Sequence, residues 1–87
     1  MNDTEAAFAE RLAKDLDRVF GAGFAVDDIE LSTEDGGARV RATLLIEGRV
    51  ETVVLAAPDV LSLYRPLMER AAELQLHAAF WRMVGPS

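Results

Sequence analysis

The sequence predicts an α+β domain with the order α-β-β-β-α, in which both helices pack on one face of a three-stranded antiparallel meander. Apolar residues recur every three or four positions before Gly21, as in an amphipathic helix. From Phe24 to Ala56 the apolar residues alternate in steps of two, with turn residues between the runs. After Pro58 the helical spacing returns. A chain of 87 residues is expected to form a single domain, 1–87.

The first helix has recognisable start and stop signals. Asn2 and Glu5 have the spacing of a capping box, and Gly21 is placed to end the helix. Arg11 and Asp15 are four residues apart, which predicts an ion pair on the solvent side. One apolar stripe is predicted to face the core: Phe8, Leu12, Leu16, Val19 and Phe20.

The three strands follow from the alternating pattern and its interruptions. The alternation changes parity at Asp27-Asp28, so a bulge or short turn is predicted to keep Phe24 and Leu31 on the same side of the sheet. The segment Glu34–Gly37 predicts the first hairpin turn and Glu47-Gly48 the second. The second and third strands are predicted at Ala38–Ile46 and Arg49–Ala56.

A two-residue turn at Glu47-Gly48 also assigns the two faces of the sheet. The face predicted to meet the helices carries Val40, Ala42, Leu44, Ile46, Val53 and Leu55. The opposite face carries Arg41, Thr43, Leu45, Val50, Thr52 and Val54. Two helices on one side leave this second face uncovered, so its apolar members form a candidate surface for self-association: Leu45, Val50 and Val54.

The last segment, Val60–Val84, is predicted to be helical. Pro66 is expected to kink it or to divide it into a short helix and a long one. One stripe is predicted to face the core: Leu67, Ala71, Leu74, Ala78 and Trp81. Further apolar residues lie on a second side and form the other candidate surface for self-association: Leu76, Phe80, Met83 and Val84.

The negative charge is concentrated in one short stretch. Between Gly21 and Ala38 there are five carboxylates and no Lys or Arg, which accounts for −5 of the formal net charge of −6. A local negative patch repels nucleic acid and attracts a basic surface, whereas the simpler interpretation is a solvated turn. The candidate partner-binding residues, here called the acidic segment, are Asp27, Asp28, Glu30, Glu34 and Asp35.

No catalytic or metal-binding pattern is found in the sequence, and no cofactor is expected. The serines lack a nucleophile-elbow context, His77 is the only histidine, and the acidic segment lacks the spacing of a calcium loop. The absence of cysteine excludes disulfides and fits a reducing, cytoplasmic location. No membrane span is expected. Eight arginines against one lysine are typical of a high-GC bacterial or phage genome.

The order of helix, meander and helix resembles double-stranded-RNA-binding domains. Pro58-Asp59 and a charge-poor run occupy the place of their basic helix start, which excludes RNA binding. Size, acidity and apolar surface are similar to type III secretion chaperones and to the small acidic phage inhibitors called anti-CRISPR proteins. That resemblance assigns no residue. The acidic segment favours a non-enzymatic protein-binding module, a regulator or inhibitor, that engages a basic protein surface. The alternative is a structural homodimer or assembly subunit.

Overall fold

The element order agrees with the prediction. A computed structural model describes residues 2–21, 23–34 and 36–84. Its elements are helix α1 (Asp3–Phe20), strands β1 (Phe24–Glu34), β2 (Gly37–Ile46) and β3 (Arg49–Ala57), a 3₁₀ turn (Leu61–Leu63) and helix α2 (Tyr64–Val84). The strands form one antiparallel sheet in the order β1-β2-β3. Both helices pack on one face of this sheet, and the other face is bare.

The predicted capping box begins α1. Asn2 Oδ1 accepts a hydrogen bond from the Glu5 backbone at 2.8 Å, and Glu5 Oε1 accepts one from the Asn2 backbone at 2.9 Å. The helix ends at Gly21, whose φ of +66° suits glycine. Val19 departs from the prediction because it is exposed. In the last turn it is Phe20 that turns inward, with its ring 4.8 Å from that of Phe24.

The parity change in β1 is a β-bulge, as predicted. Val26 pairs with Leu44 and Asp28 pairs with Thr43, so Asp27 is the additional residue. Because of the extra residue, alternate side chains after the bulge again point toward the core. The strand therefore buries residues on both sides of the bulge, namely Phe24, Ile29 and Leu31.

The central strand β2 separates the two faces of the sheet. Its core-facing residues are all buried: Ala38, Val40, Ala42, Leu44 and Ile46. The turn into β3 has two residues, Glu47 and Gly48, with φ of +51° and +79°, as in a type I′ hairpin. This turn sets the predicted register, in which Ala42 faces Val53 and Leu45 faces Val50.

Helix α2 follows a short 3₁₀ turn, so the segment is in two helical pieces, but the division falls before Tyr64 and not at Pro66 as predicted. Pro66 lies in the first turn of α2, where a missing backbone N–H disrupts no helical hydrogen bond. Leu63, Leu67 and Ala71 anchor the start of α2 in the core. None of residues 72–84 is buried. The molecule is elongated, with principal dimensions of 47 × 20 × 17 Å.

Candidate binding surfaces

The acidic segment lies along β1, an edge strand. Asp28, Glu30 and Glu34 are exposed and share the bare face of the sheet, because they alternate along the strand after the bulge. Asp27 is the exposed bulge residue. Asp35 lies outside the described residues. The described members thus form a row of carboxylates at one edge of the sheet.

Arginines on the neighbouring strand partly offset this row. Arg41 lies opposite Glu30 and donates to it at 2.8 Å, which makes a cross-strand ion pair. Arg39 lies opposite Ser32, on the same face. Within the described residues, Asp27, Asp28 and Glu34 have no ion pair. Part of the acidic segment is therefore compensated, and part is free to attract a cation.

The bare face of the sheet becomes apolar toward β3. Leu45 is 37% exposed, and Val50 and Val54 are 65% and 57% exposed. Leu45 and Val50 are direct cross-strand neighbours, whereas Val54 lies opposite Arg41. The structure thus brings two members of this candidate surface together and places the third beside a charge.

The end of α2 presents the other predicted apolar surface. Leu76, Phe80, Met83 and Val84 are all more than half exposed. The outward side of the same helix is polar in its first half, with Arg65 paired to Glu69 and Arg70 paired to Glu73. The change from polar to apolar therefore coincides with the point at which α2 stops burying residues. These four residues are called the apolar end of α2 below.

Polar contacts hold this part of α2 against the sheet. Arg82 donates to Glu47 Oε1 at 2.8 Å, and Gln75 donates to the Phe20 carbonyl at 3.1 Å. The Glu47 backbone N–H in turn bonds the Gly23 carbonyl at 2.8 Å. Glu47 therefore links α2 to the turn and to the start of β1, a role that the sequence pattern did not reveal.

Asp15 is the main polar group that the sequence interpretation misplaced. It does pair with Arg11, but it is only 4% exposed instead of lying on the solvent side. The Tyr64 hydroxyl donates to Asp15 Oδ2 at 2.6 Å, and Arg18 donates to Oδ1 at 3.2 Å. The Tyr64 hydrogen bond, followed by the arginines, lowers the pKa of Asp15 below its usual range, although burial opposes this.

Glu5 is a second buried carboxylate with a structural role. Besides completing the capping box, its Oε2 accepts a hydrogen bond from the Thr33 hydroxyl at 2.7 Å. The Asn2 backbone and the Thr33 hydroxyl hold the pKa of Glu5 below its usual range. Glu5 therefore ties the start of α1 to the end of β1, and it is fully engaged within the fold.

His77 lies on the wall of a small cleft between α2 and the Arg49 end of β3. The cleft has a volume of about 130 Å³, and Glu51 and Trp81 also line it. The rings of His77 and Trp81 are 6.4 Å apart. Among the described residues, no group of three or more His, Cys, Asp or Glu side chains could hold a metal ion.

Comparison with family models, with curated proteins and with solved structures gives no match. Within the described ranges, no helix has the length and apolar character needed to cross a membrane.

Proposed function

We propose that this chain is a non-enzymatic protein-binding module that self-associates as a homodimer. The apolar end of α2 is the observation that carries the proposal, because a group of large apolar side chains this exposed is typical of a surface that another protein covers. A single copy buries only one side of this helix, with Leu74 and Ala78 packed against the core. A second copy would cover the remainder, and two-fold dimers are the commonest closed assemblies.

Replacing Phe80 by Asp should weaken this association. Phe80 is 57% exposed in the single copy, so the carboxylate is solvated there and the fold should remain intact. In the dimer it would be desolvated without a partner, which should raise the dimer dissociation constant by roughly 10- to 100-fold. Sedimentation equilibrium over a range of protein concentrations measures this change.

A suitable control is Leu61→Asp, since Leu61 is 77% exposed but lies before α2. It introduces the same charge at an exposed leucine away from the proposed surface and should leave the dissociation constant unchanged. A wild-type protein that stays monomeric at high concentration would refute the proposed homodimer.

A second candidate function is recognition of a basic protein surface by the acidic segment, as a regulator or inhibitor would require. It is favoured by the exposure of Asp27, Asp28 and Glu34 and by their lack of an ion pair within the described residues. The two functions are compatible, because the acidic segment lies on β1 and the apolar end lies on α2.

Neutralising the free carboxylates tests this second function. The triple variant Asp27→Asn, Asp28→Asn, Glu34→Gln should bind a lysine- and arginine-rich peptide about tenfold more slowly at low salt. The melting temperature should stay the same or rise slightly, because like charges are removed from one strand. Stopped-flow binding at low and high salt and thermal unfolding supply the two measurements.

The control variant removes three carboxylates elsewhere: Asp17→Asn, Glu69→Gln and Glu73→Gln, all exposed. It carries the same change in net charge and should bind the peptide like the wild type. Equal slowing in both variants would mean that only net charge matters. Collapse of the first variant's fold would show that the acidic segment serves the turn and the bulge.

A further inference from the structure

The outer edge of β3 offers a row of unpaired backbone groups. Strand β3 pairs with β2 on one side only. The type I′ turn closes on the pair Ile46 and Arg49, which makes that pair a hydrogen-bonded one. Because bonded and non-bonded pairs alternate along an antiparallel ladder, every second residue then directs its N–H and C=O outward. These residues are Val50, Thr52, Val54 and Ala56.

The two edges of the sheet differ in how they are protected. The β1 edge has a bulge at Asp27 and a row of carboxylates, both of which discourage pairing with another strand. The outward-directed residues of β3 are uncharged, and three of the four are β-branched. The β3 edge therefore has the features of a strand that pairs with another strand.

We propose that two copies of this chain pair through their β3 edges in an antiparallel manner, with Thr52 of one copy opposite Thr52 of the other. This inference rests on the proposed homodimer and specifies its seam. In this register Val50 of one copy faces Val54 of the other, which places two β-branched pairs on the bare face. The outward backbone groups of both strands satisfy each other, and a continuous six-stranded sheet results.

The charge distribution allows two copies of net charge −6 to approach in this way. The acidic segment lies on β1, so the dimer places the two carboxylate rows at opposite ends of the joined sheet. Five inter-strand spacings separate them by about 24 Å. Physiological salt screens charges over about 8 Å, so their repulsion is weak across that distance.

The position of α2 fits the same arrangement. Helix α2 contacts both β2 and β3 on the covered face. If its axis runs midway between these strands, pairing at β3 places the two α2 helices about 10 Å apart, the usual spacing of packed helices. Gln75 faces α1, whereas Trp81, 49% exposed, lines the cleft beside Arg49 of β3. Trp81 therefore lies on the side from which the second helix would approach.

A single-cysteine variant tests the seam, because the natural chain has no cysteine. In Thr52→Cys the two thiols of a dimer would face each other across the two-fold axis, within the reach of a disulfide. Under mild oxidation the crosslinked dimer should form roughly 100-fold faster than in Ser32→Cys, whose thiol lies on the β1 edge. Non-reducing electrophoresis of samples taken over time gives both rates.

Backbone substitution gives an independent measurement. Thr52→Pro removes an N–H that points away from β2, so the monomer should fold while the dimer dissociation constant rises about tenfold or more. Thr52→Ala keeps the N–H and should dimerise nearly like the wild type. If the wild type dimerises but Thr52→Cys crosslinks no faster than Ser32→Cys, the β3 seam is refuted and the homodimer stands. A wild type that is monomeric overturns both.

Discussion

Replacing Leu44 by Ala should lower the free energy of unfolding by about 2–5 kcal/mol. Leu44 is fully buried in the central strand, so truncation removes apolar contacts and leaves a cavity. A domain of this length has a total stability of roughly 4–13 kcal/mol. The variant should therefore be marginally folded at room temperature, and urea unfolding followed by circular dichroism measures the loss.

The adjacent residue provides the matched control. Leu45 lies one position along β2, on the bare face, so Leu45→Ala should cost less than about 1 kcal/mol when measured at a protein concentration below that of dimer formation. Equal losses for Leu44 and Leu45 would mean that both faces are covered in a single copy. That result would contradict the one-sided packing of the helices.

Acid should destabilise the fold, and the Tyr64–Asp15 hydrogen bond should account for much of this effect. The pKa of Asp15 is lowered in the folded state, so its ionised form adds stability above its unfolded pKa of about 3.9. That contribution is lost as the pH falls through the lower folded pKa. The same hydrogen bond raises the pKa of Tyr64. The stability that the protonated Tyr64 hydroxyl contributes is therefore lost as the pH rises through the pKa of Tyr64 in the folded state.

Tyr64→Phe removes the hydrogen bond while keeping the ring. We expect the variant to be less stable at neutral pH and to lose less stability between neutral pH and about pH 2. Urea unfolding at a series of pH values gives this dependence. A pH dependence equal to that of the wild type would show that Arg11 and Arg18, and not Tyr64, set the ionisation of Asp15. Thr33→Val removes the hydroxyl that donates to Glu5, so urea unfolding of this variant at a series of pH values tests the contribution of Glu5 in the same way.

The fold could be predicted from local patterns because each helix and strand has its own spacing of apolar residues and ends at recognisable turn residues. The parity change at Asp27-Asp28 was sufficient to predict the bulge, and the two-residue turn at Glu47-Gly48 was sufficient to predict the register. Both features depend only on neighbouring residues. Exposure at the end of α1 and burial along α2 depend on which element lies nearby, and there the apolar pattern was a weaker guide.

The polar contacts were harder to predict because their partners are distant in the chain. Asp15 has its arginines within one turn, which suggested a solvent-side pair, whereas Tyr64 lies 49 residues away. Glu47 and Arg82 are 35 residues apart. The candidate surfaces stood out more clearly, since excess apolar residues on a face that a short chain cannot cover are visible in the sequence itself. Partners and oligomeric state stay predictions.

The bulge in β1 has a consequence for how far an assembly of this chain can grow. If two copies pair at β3, the β3 edge of each copy is covered. The joined sheet then has a β1 strand at both ends. Each of these ends carries the extra residue Asp27 and the carboxylates of Asp28, Glu30 and Glu34. A third copy would find no flat, neutral strand to extend. The proposed assembly would therefore be finite, and the feature that distorts one strand would protect the protein from forming fibres.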